Sequence, residues 1–337
     1  MKQDRPIMVL GPTAGGKSDL AVLLAERLDG EIVGADAFQV YRRLDAGTAK
    51  PDRRLRERAR HHLIDVTDPT TSFSVHDWLT LAHEAIDAIR SRGKRPIVVG
   101  GTNLYMKALL DGMFEGPGRD MDFRRSLDGV DTPLLHARLI EIDVEAAGRL
   151  KPMDRQRIVR ALEVYELTGK PISALQTQWD DDGSEGLDAV LVGLKWEAEA
   201  INPRINRRVK AMFYPEKVEE ELAASVCING ESLVDEAERL RGEGCFDPVR
   251  IHDECEGPNQ AREALGYKQL LAWMEGDEAI RSLEDAFEKT KVLTRRFAKQ
   301  QRTWLKRFTS THWIEGESYA AQPGAAIDRV EALLRDA

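Results

Sequence analysis

Gly11-Pro12-Thr13-Ala14-Gly15-Gly16-Lys17-Ser18 has the plainest chemistry in this chain. Its spacing, GxxxxGK followed by a hydroxyl residue, suits a loop that wraps a di- or triphosphate. The glycines let successive amides turn toward the anion, Lys17 adds a point charge, and the Ser18 hydroxyl is placed to ligate Mg²⁺. The apolar run Pro6-Ile7-Met8-Val9-Leu10 precedes the loop, and residues 18–25 follow with helical spacing and good helix formers. Strand, loop and helix in that order are the context the motif requires, so a chance glycine-rich turn is the weaker reading. Holding phosphates does not name a reaction, because ATPases, kinases and transferases that expel diphosphate all use such a loop.

Two more residues fall where a ligand of that loop would be met. Residues 31–35 fit a buried strand ending at Asp36, and residues 96–100 fit another ending at Gly101-Thr102. Residues 74–92 between them read as an amphipathic crossover helix. Strands alternating with helices of this length imply a parallel, doubly wound sheet whose ligands sit at the carboxyl ends of the strands. At such an end Asp36 is a magnesium-supporting carboxylate, a general base facing an acceptor, or a plain helix cap. Thr102 follows two glycines that permit close approach of a bound base, or it caps a strand-to-helix turn.

The elements that must position these residues account for most of the 337 positions. We divide the chain into a first core part at 1–116, a small helical insertion at 117–151 that contacts the acceptor, and a second core part at 152–337 with C-terminal helices. The insertion opens after the breaker-rich Gly112-Met113-Phe114-Glu115-Gly116-Pro117-Gly118. Residues 152–168 are a strong helix stopped by Gly169 and Pro171, and residues 189–194 return the chain to the sheet. With 42% hydrophobic and 32% charged residues, the composition excludes a disordered or fibrous chain. No apolar run approaches the roughly 18 residues of a membrane helix, so no membrane association and a cytoplasmic location are expected. Cys227, Cys245 and Cys255 have no CxxC pairing and indicate neither a zinc site nor a disulfide framework.

A net charge of −9 argues against a nonspecific nucleic-acid coat, yet the basic residues are clustered. Residues 291–307 carry Lys291, Arg295, Arg296, Lys299, Arg302, Lys306 and Arg307 without one acid. Arg149, Lys151, Arg155, Arg157 and Arg160 form a second cluster, and Arg53, Arg54, Arg56, Arg58 and Arg60 a third. Each alone reads as a solvated face; three together favour a polyanionic partner.

With these features in place, the chain resembles the tRNA dimethylallyltransferase (tRNA isopentenyltransferase) family over nearly its whole length. Gly11 to Ser18 is similar to that family's GPTAxGK[ST], Asp36-Ala37-Phe38-Gln39-Val40-Tyr41 to DSxQVY, and Gly47-Thr48-Ala49-Lys50-Pro51 to GTAKP. His61-His62-Leu63-Ile64-Asp65 resembles HHLID, and Gly100-Gly101-Thr102-Asn103-Leu104-Tyr105 resembles GGTxLY. The run from Asp154 through Gln156-Arg157-Ile158-Val159-Arg160 to Glu163 is similar to DxQRxxRALE, and Gly266-Tyr267-Lys268 to a GYK/R segment.

The resemblance implies an α/β fold: a P-loop NTPase-like core, its parallel sheet flanked by helices, with a small helical insertion domain. It implies an enzyme that moves a dimethylallyl group from dimethylallyl diphosphate to the exocyclic N6 of adenine 37, next to the anticodon of tRNA. The alternative is an adenylate isopentenyltransferase acting on free nucleotide. Gly11, Pro12, Thr13, Ala14, Gly15, Gly16, Lys17 and Ser18 would hold the diphosphate, with Mg²⁺ as cofactor on Ser18. Asp36, Thr102 and Lys17 would be catalytic, Asp36 as general base. Asp36, Ala37, Phe38, Gln39, Thr102, Arg124, Gln156, Arg157, Ile158, Val159 and Arg160 would touch the tRNA anticodon loop, with the protein acting as a monomer. Three departures stand out. Ala37 replaces a serine, Gln300 replaces an arginine of AKRQxTW, and the Glu-rich residues 214–229 interrupt a pattern RIxxRVxxMFxxGLVDE. Arg204 and Arg208 remain at matching positions of that pattern, and the resemblance supplies no function for the interrupting stretch.

Overall fold

The computed structural model describes residues 5–113, 116–176, 186–252, 255–257 and 259–336. It consists of two compact units, Met1–Lys107 with Asp188–Ala337, and Ala108–Leu187.

The first unit begins with β1 (Ile7–Leu10), four apolar residues that are all buried. The phosphate-type loop follows, then α1 (Lys17–Leu28), which stops where Asp29 turns left-handed at φ 47°. Next come β2 (Gly30–Gly34), α2 (Arg53–Arg58) and the two-residue β3 (His61–His62). The crossover helix α3 (Val75–Ser91) starts at a reciprocal cap: Ser74 and Asp77 each bond the other's backbone amide. Its apolar face, Trp78, Ala82, Ile86 and Ile89, is buried. β4 (Arg95–Val99) and α4 (Asn103–Asp111) follow, and the boundary between the units falls inside α4.

The second unit contains α5 (Met121–Ser126), α6 (Thr132–Ile142), α7 (Val144–Arg149), α8 (Arg155–Thr168) and the single turn α9 (Ile172–Leu175). Its extent, Ala108–Leu187, is wider than the expected 117–151, and α8 belongs to it rather than to the core. The reason is packing. Ile158, Ala161, Leu162 and Val164 of α8 form one hydrophobic core with Leu135 and Leu139 of α6 and Ala146 and Ala147 of α7. Three helices of 6, 11 and 6 residues have too little apolar surface to bury among themselves.

Back in the first unit are β5 (Val190–Lys195), α10 (Ala198–Phe213), α11 (Glu220–Val226) and α12 (Leu233–Gly242). The antiparallel pair β6 (Val249–His252) and β7 (Cys255–Gly257) comes next. The chain closes with α13 (Tyr267–Met274), α14 (Leu283–Leu305), β8 (His312–Glu315), α15 (Gly316–Ala321) and α16 (Pro323–Asp336). The main sheet has six strands in the order β3-β2-β4-β1-β5-β8, every pair parallel. β1 therefore lies between β4 and β5, where successive connections leave in opposite directions. In an open α/β sheet that switch point is where a ligand crevice forms. The expected parallel α/β sheet is present. β3, β6, β7 and β8 were not anticipated, because strands of two to four residues carry too little alternation to be read.

Candidate active site

The loop after β1 is shaped by backbone that only some residues tolerate. Gly16, the residue before α1, has φ 87° and supplies no side-chain cap. The first intrahelical bond runs from Leu20 N to Gly16 O at 3.1 Å, so the amides of Lys17, Ser18 and Asp19 have no intrahelical acceptor. The three residues line a cleft of about 340 Å³ together with Thr13 to Gly16, Asp36, Gln39, Gly100 and Gly101, among others. The whole cleft belongs to the first unit. Lys17 Nζ donates to Pro12 O at 2.8 Å and is 9% exposed. Gly11 and Pro12 thus shape the loop without lining the cleft, whereas Thr13, Ala14, Gly15, Gly16, Lys17 and Ser18 line it.

Four side chains distant in sequence hold this loop. Gln301 of α14, 2% exposed, accepts from Thr13 N and donates to Gly101 O, both at 2.8 Å. Arg208 of α10 donates to Thr13 Oγ1 at 2.5 Å. Arg204, one turn earlier, donates to Ala14 O at 3.0 Å and stacks 4.8 Å from the Trp196 ring, whose Nε1 donates to Gly15 O. Arg204, Arg207 and Arg208 all line the cleft. We did not place Gln301, Arg204 or Arg208 in the site from sequence. The readable signals were a polar residue on the buried face of α14 and the i, i+4 arginines of α10.

At the ends of β2 and β4 the backbone is pressed together. A Cβ on Gly100 would lie 1.9 Å from Ala35 O, so only glycine fits there. Asp36 caps the turn that follows it, its Oδ1 accepting from Phe38 N at 3.0 Å and Gln39 N at 3.4 Å. The cap and a chemical role are therefore compatible: Oδ1 serves the turn, and Oδ2 is left to the cleft that Asp36 lines. Thr102 does not line that cleft. Its Oγ1 accepts from Ala37 N at 2.9 Å, tying the two strand ends together and keeping its own proton to donate. This bond uses the Ala37 backbone and is indifferent to the missing serine hydroxyl. Gln39 Nε2 donates to Thr48 O and Ala49 O at 3.0 and 3.1 Å, which leaves Oε1 as its acceptor.

The electrostatics favour an anion. Burial, then Arg208, push the Lys17 ammonium down to about 8, against the pull of Asp36. Burial also lowers Arg208, to about 10, which leaves it charged at neutral pH. An anion such as a diphosphate bound against Lys17 would restore its proton. Affinity for diphosphate is therefore expected to be flat below pH 8 and to fall by up to tenfold per pH unit above it. Calorimetry in two buffers of different ionisation enthalpy should show proton uptake at pH 9; none would remove Lys17 from the phosphate site. Stability of the ligand-free protein runs the other way. A depressed lysine contributes stability above its unfolded value of 10.5 that is lost as pH falls through about 8.

The chain was compared with known proteins. The family model described as IPP transferase matches residues 39–308. A tRNA dimethylallyltransferase of Geobacter sulfurreducens is 40% identical over 313 residues, 92% of this chain and 91% of that protein. This chain belongs to the IPP transferase family. A solved tRNA delta(2)-isopentenylpyrophosphate transferase of Staphylococcus epidermidis superposes with a TM-score of 0.65 at 30% identity, covering 99% of this chain and 100% of that one. The full-length tRNA isopentenylpyrophosphate transferase of Bacillus halodurans gives 0.61 at 31% identity, covering 98% and 99%. The P-loop-type α/β fold expected from the motifs agrees with these IPP transferase structures.

The IPP transferase pattern also assigned residues to RNA, and the structure separates them. Ile158 and Val159 are 0% and 8% exposed in the core of the second unit, so their side chains cannot touch tRNA. The motif places them on the inward face of α8, while Gln156 and Arg157 stand exposed on it. Arg124 and Arg160 share Glu163, which is fully buried: Arg124 Nε and Arg160 Nη1 each donate to it at 2.6 Å. Arg155 donates to Val130 O and Leu127 O. In the third cluster, Arg53 pairs with Glu57, Arg54 with Glu221, Arg56 with Asp65, Arg58 with Glu26 and Arg60 with Glu31. Each of its arginines has an acidic partner within the same IPP transferase fold. On α14, Lys291 is paired with Glu288, while Arg296 and Lys299, and Lys306 just past the end of the helix, are exposed with no ion pair among the described residues. Replacing Arg157 or Lys299 by alanine should each reduce the salt dependence of tRNA affinity by a slope of about 0.7, the value for one lost phosphate contact. Arg160→Ala should instead lower the melting temperature, because it strips Glu163 of a partner. An unaltered slope for both Arg157→Ala and Lys299→Ala would make them solvated residues.

Proposed function

We propose that the cleft joins dimethylallyl diphosphate to an adenine of tRNA. The observation that carries this reading is that one cleft presents both an anion cradle, Thr13 to Ser18 with Arg204 and Arg208, and a carboxylate oxygen of Asp36. The C1–O bond of the allylic diphosphate breaks with its electron pair leaving on the diphosphate, where Lys17 and the loop amides meet the growing negative charge. The adenine N6 bonds to C1, and its proton passes to Asp36 Oδ2. Thr102 keeps the Asp36 turn in place through the bond that its Oγ1 accepts from Ala37 N. An adenine next to the anticodon must leave its stack to reach the cleft, at a cost of a few kcal/mol offset by contacts to the base. The acceptor is tRNA and not free nucleotide, in keeping with relatives that are named for tRNA.

Mg²⁺ fits this donor set. Among the described residues no group of three or more His, Cys, Asp or Glu could hold a metal. Magnesium held by one hydroxyl, water and substrate phosphates needs no such cage. Ser18 lines the cleft on the first turn of α1 and is the hydroxyl we assign. The ion would neutralise the departing diphosphate. The protein would act as a monomer in the cytoplasm, where tRNA is available; no described helix is long and apolar enough to cross a membrane.

Incubation with radiolabelled dimethylallyl diphosphate should move label to tRNA and leave AMP unlabelled. Label on AMP at a comparable rate, or ADP released in step with turnover when ATP is supplied, would replace this reading.

A further inference from the structure

The Glu-rich residues 214–229, for which the family pattern has no place, fold onto the active site. They form a short 3₁₀ turn at Pro215–Lys217 and then α11. Leu222, Ser225 and Val226 of α11 line the same cleft as the phosphate loop and Asp36. Two of its acidic residues pair with basic residues of neighbouring elements. Glu219 pairs with Arg207 of α10 at 2.8 Å, and Glu221 with Arg54 of α2 at 3.5 Å. Beyond the helix, the Cys227 thiol donates to Ala211 O at 3.5 Å, and Asn229 donates to Asp45. The segment is thus held to three other parts of the first unit.

The polar lining of the cleft divides between two jobs. Thr13 to Ser18, Arg204 and Arg208 serve an anion, and Asp36, Gln39 and Gly101 serve an acceptor. The apolar side chains of the lining include Leu222 and Val226 of α11, Phe297 of α14, Ile64, Ile32 of β2 and Val99 of β4, and they stand beside polar Thr48, His61 and Ser225. Phe297 is 38% exposed and lies one helical turn before Gln301, which grips the phosphate loop and Gly101. An allylic chain attached to a diphosphate has no polar group of its own, so it must lie against this apolar lining.

We infer that α11 is a wall of the allyl pocket supplied by this chain's own inserted segment, and that Leu222 and Val226 limit the length of the prenyl group transferred. The inference rests on the transferase reading above and adds to it which residues select the donor. A pocket closed by a leucine side chain rejects extra carbons by steric clash, while shortening that side chain makes room for them.

The test compares kcat/KM for geranyl diphosphate and for dimethylallyl diphosphate, both with tRNA as acceptor. The unmodified protein, with activity on the five-carbon donor, tests the transferase reading by itself. Leu222→Ala is expected to raise the ratio of geranyl to dimethylallyl transfer about 10- to 100-fold, within the range that pocket methylenes command. Leu222→Phe should lower kcat/KM for both donors and leave KM for tRNA unmoved, a split that a general loss of folding would not produce. Val226→Ala, which removes a 3% exposed side chain, is run beside them with its circular dichroism spectrum. If both Leu222 variants stay native and keep the unmodified ratio, or if their only change is in KM for tRNA, α11 is not the allyl wall.

Discussion

Lys17→Ala is expected to lower kcat/KM for transfer by about 10²–10³-fold, the usual effect of removing one preorganised group from a developing anion. In the ligand-free protein Pro12 O is the ammonium's one hydrogen-bond acceptor among the described residues, and its charge is opposed by burial and by Arg208. A charge kept at such a cost gains most when negative charge arrives, which is when the diphosphate departs. The same reasoning fixes the sign of the stability effect. Burial depresses Lys17 from 10.5 to about 8, so at neutral pH its charge costs the ligand-free fold about 3 kcal/mol. Alanine relieves that cost while leaving a small gap. The melting temperature should therefore hold or rise, as activity collapses. Full activity with a native circular dichroism spectrum would end the assignment of residues 11–18 to diphosphate.

Asp36→Asn is the second large effect, a fall in kcat of about 10²–10⁴-fold with tRNA affinity changed by no more than a few-fold. The substitution is well suited to the question because asparagine keeps an oxygen able to accept from Phe38 N and Gln39 N, so the turn survives. What it loses is a basic oxygen at the Oδ2 position. Asp36→Ala removes the cap as well, worth about 1 kcal/mol, and should cost stability in addition to rate. Were the Asn variant's defect to lie in tRNA affinity, or to vanish at high Mg²⁺, Asp36 would be a positioning or metal-supporting carboxylate.

Reading the arginines shows where sequence reasoning reaches its limit. The cluster at 53–60 and the free positions of α14 look alike as strings, yet one is neutralised by Glu26, Glu31, Glu57, Asp65 and Glu221, and the other is not. Only Glu57 lies within a helical turn of its partner. The rest are brought in by the order of the sheet and by α11. In the same way Ile158 and Val159 sit inside a motif that points to RNA, and the helical period places them inward while Gln156 and Arg157 face solvent. The 3.6-residue period of α8 carries that division, whereas the motif as a string does not.

The sequence by itself determined the phosphate loop, the strand-end aspartate and the parallel α/β class, because each is local. Eight residues set their own turn, a glycine before Lys17 sets the start of α1, and apolar runs of four or five residues set strands. Only the tertiary structure decided what completes the site. Thr13 and Gln301 meet across 288 positions, Thr13 and Arg208 across 195, and α11 turns an unassigned acidic stretch into cleft wall. Spacing encodes neighbours within a turn or along a strand. Contacts between distant helices are instead fixed by which strands pair and which faces must be buried, and those choices are made by the whole chain at once.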